Sequence, residues 1–75
     1  MSVQYRVAFS KKDEAVDGPD DADVVVTIAA GDAGLDPTVA YMQGKLKSTG
    51  STAALFELLK NGEAAAAISR LASRS

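Results

Sequence analysis

The stretch DPTVAYMQGKLKSTG, residues 36–50, decides the fold because it joins a short helix to a short strand through a glycine. Asp36 is a favourable N-cap, and Pro37 fits the first helical position, where its missing N–H has no helical partner to lose. Gly44 can supply the left-handed residue that follows a helix. We therefore expect a helix from Pro37 to the residue before Gly44, and the alternating residues 45–49 predict a half-buried strand.

Two further strands are predicted upstream of this stretch. Apolar residues alternate with polar ones over 3–9, VQYRVAF, which is the period of a half-buried strand. Residues 24–28, VVVTI, are β-branched throughout and predict an interior strand that is covered on both faces. The polar residues 11–23 between them carry Gly18-Pro19, and we interpret them as a turn or loop.

Two helices are predicted downstream, and together with the strands they define a fold class. A helix capped by Ser51 or Thr52 carries its leucines along one side. Asn61-Gly62 is expected to end it, and the alanine-rich residues 63–73 predict a final helix. Strands combined with segregated helices indicate an α+β fold. We expect a small mixed or antiparallel sheet that short helices cover on one side.

Length and charge limit the possible functions of the chain. Seventy-five residues with a net charge of -2 predict one small domain, residues 1–75. The low charge argues against a nucleic-acid partner, because binding phosphates requires a clustered basic face. No apolar run approaches the roughly 20 residues that span a bilayer, and the N-terminal residues lack the pattern of a signal peptide. We therefore expect a cytoplasmic protein.

The residues that usually carry catalysis are scarce. The chain has no histidine and no cysteine, which excludes a Ser–His triad and a thiolate metal site. The acidic residues 13–23 fit a calcium loop poorly, because Ala15 and Val24 occupy ligand positions. The sequence around Lys45 lacks the glycine and the Ser or Thr of a phosphate loop. We expect a protein that is not an enzyme, has no cofactor and no metal, and makes at most transient contact with membrane surfaces through Lys45 and Lys47.

The motif YMQGKLK, residues 41–47, resembles the helix-to-strand signature of the sterol carrier protein 2 (SCP2-like) domain. That signature is a proline, an aromatic residue, Gln-Gly-Lys-Leu-Lys and then a glycine. The preceding DGPDDADVVVTIAA resembles the acidic turn and strand of the family, and STAALFELL resembles its next apolar helix. The resemblance covers about residues 5–59. A typical member is longer and opens with a helix and an additional strand, so this chain would be a shortened form.

SCP2-like domains hold an apolar tunnel between sheet and helices. The resemblance therefore implies non-catalytic binding and transfer of an apolar ligand, such as a fatty acid, an acyl-CoA or a sterol-like molecule. The expected ligand-binding residues are apolar side chains between sheet and helices, with one amide for the polar end of the ligand: Phe9, Val26, Ile28, Met42, Gln43, Leu46, Leu55, Phe56, Leu59 and Ile68. Val39, Met42 and Phe56 are also expected in the core.

A tunnel inside so short a chain raises an energetic difficulty. Each buried CH₂ of a ligand gains about 0.8 kcal/mol, but the cavity removes core that a small domain needs. A pocket shared by two subunits avoids this loss, and open strand edges invite pairing, so we expect a homodimer. The alternative is a shortened domain without a tunnel, which acts as a dimeric interaction module or as an accessory subunit of an enzyme.

Overall fold

The structure, a computed structural model, describes residues 2–73, so residues 1, 74 and 75 of the expected domain lie outside the described part. The described chain forms strands β1 (Val3–Ser10), β2 (Asp13–Asp17), β3 (Val24–Ala29) and β4 (Leu46–Thr49), and helices α1 (Pro37–Met42), α2 (Thr52–Lys60) and α3 (Glu63–Ala72), with a 3-10 turn at Ala30–Asp32. A four-stranded mixed sheet with these helices confirms the predicted α+β class.

The strand order in the sheet is β2-β1-β3-β4. β1 pairs antiparallel with β2 and parallel with β3, and β3 pairs antiparallel with β4. Tyr5 of β1 thus lies between Asp17 of β2 and Val26 of β3. The first strand of the chain is therefore central in the sheet, and residues 18–23 carry the chain from β2 past β1 to β3.

The helices cover one face of this sheet. Along β3, Val24, Val26 and Ile28 are buried, whereas Val25 and Thr27 on the opposite face are only half-buried. The expectation that this strand is covered on both faces is therefore wrong. β3 is paired with a strand on each side within the sheet. Its continuous run of β-branched residues suits this central position.

β2 corrects the prediction that residues 11–23 form a loop. Its sequence, DEAVD, has low strand propensity, and Ala15 is its buried residue. Pairing with β1 supplies backbone hydrogen bonds that local propensity does not reveal, and it sets Ala15 opposite Val7. On the other face, Arg6 approaches Glu14 at 3.6 Å. Tertiary pairing thus overrides the polar composition of the segment.

The predicted helix boundaries are confirmed by their caps. The Asp36 carboxylate accepts a hydrogen bond from the Thr38 N–H at 2.8 Å, and the Ser51 hydroxyl oxygen accepts one from the Ala54 N–H at 3.3 Å. Gly44 follows α1 with a positive φ of 75°. Across residues 2–73, no helix combines the length and the apolar character needed to cross a bilayer.

The connection from β2 to β3 is held tightly against β1. The buried Gln4 amide donates hydrogen bonds to the carbonyl oxygen of Pro19 at 3.1 Å and to the Asp20 carboxylate at 3.3 Å. Gly18 has a φ of 117°, and a Cβ there would clash with the carbonyl oxygen of Val3. Only glycine fits this position without moving the backbone of β1.

A second glycine has the same function at the same end of the sheet, beside the start of β3. Gly50, which follows β4, has a φ of 96°, and a Cβ there would clash with the carbonyl oxygen of Asp23. The chain that leaves β4 thus packs closely against the start of β3. Glycines at 18 and 50 allow two connections to cross the same end of the sheet.

The core lies between the sheet and the helices, but α1 contributes less to it than the sequence predicts. Only Pro37 and Ala40 of α1 are buried. Val39, Met42 and Phe56 are 41%, 78% and 51% exposed, so their assignment to the core is wrong. A six-residue helix has one short inward side, and in α1 the small residue Ala40 occupies it, which turns the larger side chains outward.

Candidate functional site

A cleft of about 400 Å³ opens between the sheet and the last helix. We call it the α3 cleft. Its walls come from the start of β1, the end of β2 and one side of α3: Val3, Tyr5, Asp17, Glu63, Ala66, Ala67 and Arg70.

The helical wall of the cleft follows from the period of α3. Glu63, Ala66, Ala67 and Arg70 recur at spacings of three and four residues, which places them on one side of a helix. The start of this helix is fixed by Asn61, whose side-chain oxygen accepts a hydrogen bond from the Glu63 N–H at 2.9 Å. Charged side chains therefore stand at both ends of the wall, and small alanines lie between them.

The sheet wall follows from the register of the β1–β2 pair. Tyr5 and Asp17 are direct partners across this antiparallel pair, so their side chains lie on the same face, toward α3. Val3 is two residues before Tyr5 and shares that face. The pairing that creates β2 is thus also what brings a carboxylate beside the tyrosine.

Tyr5 is the most unusual residue of the cleft. It is only 6% exposed, and its hydroxyl is buried without a hydrogen-bond partner among residues 2–73. Leaving a buried hydroxyl unpaired costs about 1–3 kcal/mol. Burial, and then the negative charges of Glu63 and Asp17, raise the pKa of this phenol above its ordinary value of 10.0. The hydroxyl is therefore protonated at neutral pH, and as a phenol it can both donate and accept a hydrogen bond.

The charges of the cleft do not balance. The Arg70 guanidinium forms an ion pair with the Asp17 carboxylate across the cleft. Both side chains are about half exposed or more, so solvent screens this pair and it contributes little to stability. Within the described residues the Glu63 carboxylate forms no ion pair. Among the described residues, two carboxylates and one guanidinium line the cleft, which gives this part of its wall a net negative charge.

The residues that the sequence predicts for ligand binding lie elsewhere. Val26, Ile28, Leu46, Leu55 and Ile68 are at most 2% exposed and belong to one packed cluster, and Phe9 and Leu59 are partly buried against it. Met42, Gln43 and Phe56 are at the surface. There the Phe56 ring meets the Tyr41 ring edge-on, with 5.8 Å between the ring centroids. None of these residues lines the α3 cleft. Their role in binding a lipid stays a prediction.

Sequence reasoning missed the cleft for an identifiable reason. The alternation in β1 predicts that Tyr5 points inward, and the spacing of Glu63 and Arg70 is visible in the sequence. Asp17, however, reaches the site only through the unpredicted strand β2. Among residues 2–73, no group of three His, Cys, Asp or Glu side chains is placed to hold a metal ion.

Comparison with known protein families gives no match to this chain, and comparison with curated proteins gives none either. The resemblance to the SCP2-like domain therefore rests on the motif at residues 41–47 and its flanking segments, and it stays a hypothesis.

Proposed function

We propose that this protein is a non-catalytic binding protein that holds a small amphiphilic ligand in the α3 cleft. The observation that carries the proposal is the buried hydroxyl of Tyr5, which has no partner in the described chain and belongs to a side chain lining a cleft of about 400 Å³. Ligand pockets of proteins have volumes of roughly 300–1,000 Å³ and combine apolar walls with a few polar groups. The volume of the α3 cleft lies in this range, and its lining combines Val3 and two alanines with the Tyr5 phenol and three charged side chains.

The binding mechanism divides the ligand into two parts. Its apolar part would pack against Val3, Ala66 and Ala67, which removes apolar surface from water. Its polar end would supply the hydrogen bond that the Tyr5 hydroxyl lacks, which offsets the penalty of burying that group. Acyl and sterol-like molecules, which the family resemblance implies, remain candidates for the apolar part.

The proposed function is binding without catalysis, and the chemistry of the cleft supports it. The polar side chains of the cleft are one phenol, two carboxylates and one guanidinium, and the chain has no histidine or cysteine to serve as a neutral-pH base or thiolate nucleophile. Such a set can orient a ligand and select its charge. Binding and release, with small movements of α3, are sufficient for the function.

The test uses three probes that share one apolar chain and differ in their polar end: hexylammonium, hexanol and hexanoate. Each is titrated into isotopically labelled protein, and backbone amide shifts are followed. We expect saturable shifts at Val3, Ala66 and Ala67 with at least one probe. Ala66→Phe should abolish them because the ring fills the cleft. Ala65→Phe is the matched control, since Ala65 is exposed and absent from the cleft wall.

Two results would count against the proposal. One is the absence of saturable shifts with all three probes. The other is binding that survives Ala66→Phe as well as it survives Ala65→Phe, because the ligand would then occupy another place.

A second candidate function is self-association, and the exposed side chains of α1 and α2 favour it. Val39 and Met42 stand out from α1, and Phe56 stands out from α2 beside Tyr41. We call these four residues the α1–α2 surface. A second copy of this chain is the partner that we propose for it, in line with the homodimer that the small size of the chain leads us to expect.

The charges on the sheet edges argue for this surface over strand pairing. The edge strand β2 carries Asp13, Glu14 and Asp17, whereas the other edge strand, β4, carries Lys47. Pairing either edge with its own copy would set like charges opposite each other, which is destabilising. An apolar contact through the α1–α2 surface avoids that repulsion.

A further inference from the structure

We infer that the α3 cleft selects a ligand whose polar end is a hydrogen-bonding cation, such as an alkylammonium, over the corresponding carboxylate. This inference rests on the proposed binding function and specifies the chemistry of the ligand. It reverses the sign of charge that a fatty acid would bring. Three features of the cleft support it.

The first feature is the unneutralised carboxylate of Glu63. Within residues 2–73 it has no ion-pair partner, and it lies on the same helical side as Ala66 and Ala67. A ligand whose alkyl chain packs on those alanines would therefore have its polar end within reach of this carboxylate. An ammonium group donates up to three hydrogen bonds, so it can serve both Glu63 and the Tyr5 oxygen.

The second feature is the electrostatic field at the Tyr5 hydroxyl. After burial, the causes that raise the pKa of this phenol are the charges of Glu63 and Asp17, because both disfavour a negative charge on its oxygen. A ligand carboxylate placed beside that oxygen would meet the same repulsion. A ligand cation would be attracted by the charges that repel an anion.

The third feature is the state of Arg70. Its guanidinium is the cationic group of the cleft wall, and it is already paired with Asp17. A ligand carboxylate would have to share this guanidinium with the Asp17 carboxylate, which would repel it. The positive end of the α3 dipole also favours anions, but the Asn61 side-chain oxygen already accepts a hydrogen bond from the Glu63 N–H, and Glu63 already places a carboxylate in the first turn.

The experiment compares the dissociation constants of hexylammonium, hexanol and hexanoate at neutral pH and low salt. We expect hexylammonium to bind most tightly and its affinity to fall as salt is added. Glu63→Gln should weaken hexylammonium binding by about two- to fivefold, the range for a solvent-exposed charge pair, and should weaken hexanol binding less, because hexanol carries no charge. Glu57→Gln is the matched control, because Glu57 is exposed on α2 and is not part of the cleft.

The outcomes separate the two proposals. Equal or tighter binding of hexanoate, or a Glu63→Gln effect that is the same for hexanol, would overturn the preference for a cation and leave the binding function standing. A lack of saturable binding for every probe would overturn both.

Discussion

The α3 cleft and the α1–α2 surface depart from ordinary burial in opposite directions. In the cleft, the Tyr5 hydroxyl is enclosed without a hydrogen-bond partner in the described chain. On the α1–α2 surface, Met42 and Phe56 hold large apolar side chains in solvent. The buried Gln4 amide, by contrast, donates to two acceptors. A polar ligand group would correct the first departure, and an apolar partner surface would correct the second.

The difference teaches that each end of the helical layer is suited to a different kind of partner. The cleft has a limited volume, a hydrogen-bonding group and a net charge, which favour one small molecule. The α1–α2 surface exposes large apolar side chains, which favours a macromolecular contact. Between them lies the packed cluster that includes Leu55 and Ile68. The following predictions test this division, beginning with the largest effect.

The packing between the two regions is tested by shortening a buried leucine. Leu55 is fully buried, so Leu55→Ala should lower the free energy of unfolding by about 2–5 kcal/mol, measured by urea denaturation. Its neighbour Phe56 is half exposed, and Phe56→Ala should cost about 1 kcal/mol or less. Similar losses for both variants would contradict the distinction between the buried core and the exposed surface. A loss below about 1 kcal/mol for Leu55→Ala would indicate space beside it, as a lipid tunnel requires.

The self-association of the α1–α2 surface is tested by making it polar. The double variant Met42→Ser, Phe56→Ser should weaken a dimer by about tenfold or more, since two exposed apolar side chains leave the contact. Sedimentation equilibrium measures the dissociation constant of the dimer. Val16→Ser is the control, because Val16 is also exposed but lies on β2. A wild-type protein that stays monomeric at high micromolar concentration would remove this surface as a self-contact.

The unusual hydroxyl is tested by Tyr5→Phe. We expect this variant to be more stable than the wild type by about 1 kcal/mol, since it removes a buried polar group that lacks a partner. The same change should weaken ligand binding in the cleft. Denaturation and the probe titration together check both expectations. A variant that is less stable and binds equally well would show that the hydroxyl is satisfied within the protein.

The pH dependence of stability gives the smallest effect. The pKa of Tyr5 is raised in the folded protein above 10.0, chiefly by burial. Its contribution to stability is thus fully present below pH 10 and is lost as pH rises through the folded pKa, because the unfolded chain releases the proton first. The wild type should therefore lose stability faster than Tyr5→Phe above pH 10 in denaturation experiments. Parallel curves for the two proteins would show that this phenol is not buried as described.

Local signals made much of the fold predictable from the sequence. Asp36 and Ser51 cap helices by binding N–H groups two or three residues away, and Gly44 ends α1 through its own backbone conformation. Such features depend on neighbours in the chain, so the sequence contains them directly. The alternation over β1 likewise predicted that Tyr5 and Val7 point toward the core.

The parts that sequence reasoning missed depend on distant contacts. β2 forms because it pairs with β1. Within the sequence of β2, the small apolar residue Ala15 is the clearest sign of a strand with one buried face. The periodicity of α1 does not reveal which of its sides faces inward, because the sequence does not say which side meets β4. The cleft depends on the pairing of β1 with β2, so an interpretation that assigned Asp17 to a loop could not place its carboxylate beside Tyr5.

The crossing of two connections at one end of the sheet has a consequence for natural variation. At positions 18 and 50 a methyl group would strike the carbonyl oxygens of Val3 and Asp23, whereas Gly31 and Gly34 face open space. Descendants of a common ancestor should therefore retain glycine at 18 and 50 while exchanging it freely at 31 and 34. Any relative that keeps these two crossings should keep both glycines, even where the motif at residues 41–47 has diverged.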